Sequence, residues 1–151
     1  MAEPTLRERL WSGLAGDCYA CSPTNPLGLR LEPFESEGGV EAEWEPRRHF
    51  EGWPGLLHGG VLSTLVDELT GYAATLAFHA RDGADDRPVV TAEYTVRFLA
   101  PARSDRPLRG RAWVTELRER DASVEAKLDS DGTEVLRCQA RYVRLREKPA
   151  S

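Results

Sequence analysis

An acid inside a helix and two glycines at its start are the features of this chain whose residue types could do chemistry. They share the stretch GLLHGGVLSTLVDELTGYAA, residues 55–74. Its periodicity predicts a helix from about His58 to about Ala80. Asp67 falls inside that helix among apolar residues, where a carboxylate is costly unless something uses it. At the other end, the first N–H groups of a helix have no intrahelical partner and sit at the positive pole of the macrodipole. Gly59 and Gly60 put no side chain in front of those donors. An anion, or a carbonyl oxygen gaining charge in a transition state, can therefore reach them. The plainer alternative for HGG is a tight loop-to-helix junction.

Spacing adds a constraint. Gly60 and Asp67 are seven residues apart. At about 100° per residue they share a helix face, but they stand roughly 10 Å apart along the axis. One chain cannot bring both to one carbonyl. Two such helices, antiparallel across a two-fold axis, can do so, which predicts an obligate homodimer with shared sites; a tetramer of paired dimers is left open. The face bearing Ser63, Thr64, Asp67, Thr70, Gly71 and Thr75 is small enough for close packing, the alternative being a solvated face. The other face, with Leu62, Leu65, Val66, Leu69, Tyr72, Ala73 and Leu76, is the apolar stripe that belongs on a sheet.

Other reactive residues carry weaker signals. Cys18 and Cys21 have metal-ligand spacing, but no second pair exists and Cys138 falls within a strand pattern. A zinc site takes about four ligands, so no metal is expected. His49 and His79 read as loop and helix-end residues. Arg97, Arg103, Arg106, Arg109 and Arg111 crowd the segment RFLAPARSDRPLRGR. Most read as solvated charges, although a guanidinium forks well onto phosphate.

The elements that must position these residues follow from pattern. "PTLRERLWSGL" places Leu6, Leu10 and Leu14 on one helical face, predicting a short N-terminal helix within residues 1–17. "LRLEPFE" and "VEAEWEP" read as two strands joined around Gly38 and Gly39, and "RRHFEGWPGLL" as a structured loop. After the long helix, "VVTAEYTVRFL" alternates Val90, Ala92, Tyr94, Val96 and Phe98 with polar residues, a strand with two unlike faces. "PLRGRAWVTELR", "ASVEAKLDS" and "TEVLRCQARYVRLR" are three more, the last two meeting at an Asp-Gly turn. One long helix against an antiparallel sheet is an α+β two-layer domain. Residues 18–146 form that domain and 147–151 a tail.

Composition bounds the function. The chain has 151 residues, 40% of them hydrophobic and 30% charged, as expected of one globular domain. A formal charge of −5 argues against general nucleic-acid binding. No apolar run is long enough to span a bilayer. The first residues have no apolar signal core and the three cysteines are odd in number, so a cytoplasmic location is expected.

"PGLLHGGVLSTLVDELTGYAA" followed by "TAEYTVRFLAPAR" resembles the hotdog-fold acyl-CoA thioesterases, in the branch of the phenylacetic-acid-pathway thioesterase and the thioesterase-superfamily members. Upstream, "CYACSPTNPLGLRL" resembles the C-x-x-C-G-x-x-N-P-x-G-L segment of some members. The resemblance covers residues 18 to 145. It implies a curved sheet wrapped around the helix, active sites between subunits and hydrolysis of acyl-CoA to free acid and coenzyme A without a cofactor. It also implies roles. Gly60 would polarise the thioester carbonyl, His58 would order the turn, and Asp67 would act as nucleophile or general base. Thr91 would orient the attacking water. Gly52 stands where the better-known branch has an Asn. Glu68 is an outside candidate for the carboxylate, about 100° round the helix from Asp67. Phe50, Trp53, Leu57, Gly59 and Thr64 would line the substrate site. One or two of the arginines, with Arg97 and Arg103 as the candidates, could hold the coenzyme A phosphates, which ones being left open. A non-catalytic acyl-CoA binding or sensing module is the alternative on the same fold, with a hotdog dehydratase a distant third.

Overall fold

A long helix laid across a six-stranded antiparallel sheet accounts for most of the chain. The computed structural model describes residues 2–11 and 16–148. Its elements are α1 (Leu6–Leu10), β1 (Phe34–Ser36), β2 (Gly39–Trp44), β3 (Glu51–Trp53), β4 (Leu56–Leu57), α2 (Gly59–Asp82), β5 (Val89–Phe98), β6 (Leu108–Leu117), β7 (Asp121–Ser130) and β8 (Thr133–Arg144). The sheet order is β1-β2-β6-β7-β8-β5, and β3 with β4 form a separate two-stranded ribbon. One central helix, one short helix and a curved antiparallel sheet make the α+β hotdog architecture.

Local sequence explains each boundary. Thr5 caps α1 through a reciprocal capping box, its Oγ1 accepting from the Glu8 N–H at 3.2 Å and Glu8 Oε2 accepting from the Thr5 N–H at 2.8 Å. Leu6 and Leu10 of that helix are buried, while Leu14 lies outside the described residues. The β7–β8 hairpin turns on Asp131 and Gly132, both at positive φ, as the Asp-Gly pair predicts. The long helix runs on to Asp82, slightly beyond the expected Ala80.

Helix and sheet meet closely where the sheet has no side chain. A Cβ built on Gly110 of β6 would lie 2.3 Å from Leu69 Cδ1. Leu69 thus occupies the space of an absent side chain, and α2 settles onto β6. The stripe of Leu62, Leu65, Val66, Leu69, Tyr72 and Ala73 is buried as expected, whereas Leu76 is only partly covered. Thr70 and Thr75, expected on the outward small-residue face, are buried as well. Tyr142 of β8 packs along that face, its ring carbon 3.3 Å from where a Gly71 Cβ would sit. Part of the small-residue face therefore serves packing within the chain.

One further expectation is corrected, and two gain detail. The residues Leu29 and Leu31 are buried but belong to no strand; their N–H groups bond to the Tyr19 and Ala20 carbonyls, and regular pairing begins only at Phe34. The loop "RRHFEGWPGLL" contains a helical turn over Arg48–Phe50 followed by β3 and β4. The alternation of β5 does not produce a buried face in this chain. Val90, Tyr94 and Phe98 are exposed, because β5 is the sheet's outer strand and nothing among the described residues covers its far side.

Candidate active site

Asp67 projects from the middle of α2 toward the junction of β5 and β8. Thr91 and Tyr142 are register partners across those strands. Thr91 Oγ1 donates to Asp67 Oδ1 at 2.8 Å, and the Tyr142 hydroxyl donates to the same oxygen at 2.6 Å. The Tyr142 hydroxyl also meets the Asp67 carbonyl and lies 2.9 Å from Thr70 Oγ1. Burial, then the charge of Asp67, pushes the Tyr142 phenol well above its ordinary range, so it stays protonated and remains a donor. Cys138 is pushed up to about 11 by the same two causes and stays a thiol. Among the described residues Asp67 Oδ2 has no partner. One oxygen is anchored and the other is open, as a base or nucleophile requires.

A cleft of about 420 Å³ opens beside it, walled by Trp11, Asp67, Glu68, Tyr72, Val90 and Tyr142. Trp11 stands edge-on to Tyr72, centroids 4.6 Å apart, and so closes one side with a residue of the N-terminal segment. Glu68 shares this cleft but turns toward Cys18, whose Sγ is 3.7 Å from Glu68 Oε1. Burial is the chief cause that pushes the Glu68 carboxyl up to about 7.

The N-terminus of α2 is a second centre. His58 is the N-cap, and its Nδ1 accepts from the Gly60 N–H at 2.9 Å. That geometry fixes the ring's tautomer, with the proton on Nε2. The N–H expected to polarise a carbonyl is therefore already engaged. The Gly59 N–H makes no hydrogen bond among the described residues. The ring of Phe98 lies 3.5 Å from where a Gly59 Cβ would be. Gly59 is the open donor at this helix end.

The other expected site residues are dispersed. Phe50 and Leu57 are buried in the core, Phe50 against Trp44 with centroids 5.6 Å apart, and they do not face the Asp67 cleft. Trp53 is 76% exposed, too open for a pocket wall within one chain. A Cβ built on Gly52 would lie 3.2 Å from His58 Cα, so the glycine leaves room for the chain to pass close to the cap. Thr64 Oγ1 bonds back to the Gly60 carbonyl at 2.9 Å. Arg103 is exposed and paired with Asp105 at 2.6 Å, while Arg97 is exposed at the outer end of β5. Tyr142 and Trp11 escaped sequence reading. An inward tyrosine in an alternating strand looks like core, and Trp11 carries no motif.

A family model described as "Thioesterase superfamily" matches residues 54–145, more than half of the chain. A search of the curated proteins returns no significant match. Among solved structures, a conserved protein of Pseudomonas aeruginosa is similar with 25% identity and a TM-score of 0.69, the match covering 84% of this chain and 97% of that one. A hypothetical thioesterase of Streptococcus pneumoniae, solved with coenzyme A, is similar in fold at 16% identity and TM-score 0.66, covering 79% and 88%. A Streptococcus mutans protein solved with acetyl CoA is likewise similar in fold at 15% identity and TM-score 0.65, covering 79% and 91%. With the family model spanning α2 and all the strands that carry Asp67, Thr91 and Tyr142, this chain belongs to the thioesterase superfamily.

Proposed function

We propose that the chain hydrolyses acyl-CoA thioesters to free acid and coenzyme A, at two sites shared across a homodimer. The observation that carries this reading is the aligned carboxylate: Asp67 has Oδ1 held by two hydroxyls and Oδ2 free among the described residues. In the proposed reaction the thioester oxygen accepts the Gly59 N–H of one subunit, at the positive end of α2. Asp67 Oδ2 of the other subunit either takes a proton from water, whose oxygen then attacks the carbonyl carbon, or attacks directly and is released by water. The C–S bond breaks, and the coenzyme A thiolate recovers a proton. The coenzyme A and acetyl CoA held by two structural relatives support the choice of substrate class.

Pairing of subunits is supported by β5. It is ten residues long, unpaired on one side, and exposes Val90, Tyr94 and Phe98. Proteins seldom leave such an edge bare. Thr91 at one end of β5 touches Asp67, and Phe98 at the other end covers Gly59. Antiparallel pairing of two β5 strands about their middle sets the Asp67 end of one subunit beside the Gly59 end of the other. Arg97 and Arg103, near the outer end of the same strand, are the proposed holders of the coenzyme A phosphates.

Release of coenzyme A from a panel of acyl-CoAs, followed with a thiol reagent, tests the reading. Turnover that disappears in Asp67→Asn supports it. Tight acyl-CoA binding without turnover would instead make the chain a binding module.

A further inference from the structure

The CxxC pair acquires a third partner in the fold. Cys18 Sγ, Cys21 Sγ and a Glu68 carboxylate oxygen all lie within 4.8 Å of one another, although Glu68 is 50 residues from Cys18 in sequence. We propose that Cys18, Cys21 and Glu68 bind one zinc(II) ion, with water as the fourth ligand. This site does not depend on the hydrolytic reading.

Geometry carries the proposal. A tetrahedral zinc with Zn–S of about 2.3 Å and Zn–O of about 2.1 Å sets its sulfur and oxygen ligands about 3.6 Å apart. The Cys18 Sγ to Glu68 Oε1 distance is 3.7 Å. Two thiolates and a carboxylate suit zinc better than they suit a hard cation. The turn also suits a metal-bound sulfur: the Cys21 N–H donates to Cys18 Sγ at 3.3 Å. The ion would give two unexplained groups a purpose. Glu68 is a half-buried carboxylate that turns toward Cys18. The Tyr72 hydroxyl is buried beside Cys21 with no hydrogen-bond partner among the described residues, and a zinc-bound water would supply one. Zinc with two thiolates and one carboxylate carries a single negative charge, and Arg7 approaches Cys21 from α1 to offset it. Binding displaces the thiol protons of both Cys18 and Cys21 to solvent. The ion would fasten the segment that contains Cys18 and Cys21 to α2, one residue from Asp67.

The test is titration of reduced, metal-stripped protein with cobalt(II) and then zinc(II). One cobalt per chain, a thiolate-to-cobalt charge-transfer band and displacement by one equivalent of zinc are expected. Cys18→Ser and Cys21→Ser should each remove the band, and Glu68→Gln should weaken affinity by about tenfold or more. Cys138→Ser should leave binding unchanged. Circular dichroism checks each variant's fold. Independently of any variant, zinc should protect Cys18 and Cys21 of the native sequence from alkylation, read by mass spectrometry. Absence of the band, its persistence in both cysteine variants, indifference to Glu68→Gln, or alkylation unaffected by zinc would each overturn the proposal.

Discussion

Thr91 and Tyr142 face each other across β5 and β8, and both donate to a single oxygen, Asp67 Oδ1. Two donors on one oxygen hold the carboxylate plane and direct Oδ2 into the cleft. Asp67→Asn should lower kcat by about 10²–10⁴-fold with the melting temperature little changed. Tyr142→Phe and Thr91→Val should each cost about tenfold, because a hydrogen bond to a charged group is lost while its neighbour remains. A single turnover in heavy-oxygen water, together with hydroxylamine trapping, separates the two roles of Asp67. Label in the carboxylate means nucleophilic attack with water opening the anhydride at the Asp67 carbon. An acyl-enzyme trapped by hydroxylamine identifies the same route when water attacks the acyl carbon instead. Neither signal is expected of a general base. An Asp67→Asn enzyme within about threefold of the native rate would sink the assignment, given the loss expected when a general base is removed.

The start of α2 makes a sharper distinction between Gly59 and Gly60. The methyl added by Gly59→Ala would reach the Phe98 ring at 3.5 Å, an ordinary contact, so this variant should fold normally. It should still lose at least about tenfold in turnover, since the methyl crowds the open donor. The methyl added by Gly60→Ala would meet the His58 ring at 3.0 Å and disturb the cap. Weakening the cap costs about 1 kcal/mol. Better helix propensity returns about 1 kcal/mol, so the melting temperature should barely move and turnover should change little. The reverse pattern, with Gly60→Ala inactive and Gly59→Ala active, would restore Gly60 as the donor.

Much of this was legible because it is periodic or local. The 3.6-residue rhythm located α2 closely, and Asp-Gly located the β7–β8 turn. Thr91 came from the family motif. What was illegible depends on distant pairings. Tyr142 has the same strand alternation as its apolar neighbours, and only the register with Thr91 reveals a hydroxyl aimed at Asp67. Whether His58 reaches the N–H of Gly59 or Gly60 depends on the side-chain angle, which no spacing encodes. Cys18 and Cys21 look like half a metal site until the fold delivers Glu68.

Gly110 provides a test of packing that needs no activity. Its missing side chain is what Leu69 occupies, with Leu128 Cδ2 also 3.0 Å from the Cβ position. Gly110→Ala should destabilise the fold by about 1–3 kcal/mol through overpacking. In a Leu69→Ala background the same substitution should cost much less, because the clashing methyl is gone. Denaturant melts of the native protein, both single variants and the double variant measure the coupling. Additive effects would mean that helix and sheet do not meet there.

The C-terminal end of α2 should respond to acid. Arg144 is buried, 2.8 Å from Asp82 and 3.8 Å from Asp85. Hydrogen bonds from Arg81 first, then Arg144, hold the Asp82 carboxyl down to about 2, and Arg87 chiefly does the same for Asp85. A depressed carboxylate stabilises the fold fully above its unfolded value of about 4. That contribution is lost as pH falls from about 4 toward about 2, when the folded groups take up protons. Melting temperature should therefore fall steeply across that window in the native protein. The gap between it and Asp82→Asn should close there. A gap that stays constant from about pH 5 to about pH 2 would show that this ion pair is not the acid-sensitive element.

Subunit mixing tests whether the site is shared. Asp67→Asn and Gly59→Ala chains, carrying different tags, are co-expressed and the heterodimer is purified on both. If each site takes Gly59 from one subunit and Asp67 from the other, one site in the heterodimer collects both defects and the other collects none. The heterodimer should then recover about half of native turnover, although each parent is impaired. If both residues acted within one chain, every site would keep one defect and no activity would return. Adding Tyr94→Glu and Phe98→Glu to both chains places charges on the bare edge of β5, and should abolish both the dimer and the recovered activity. A heterodimer no more active than its parents, with the dimer intact by light scattering, would refute the shared site.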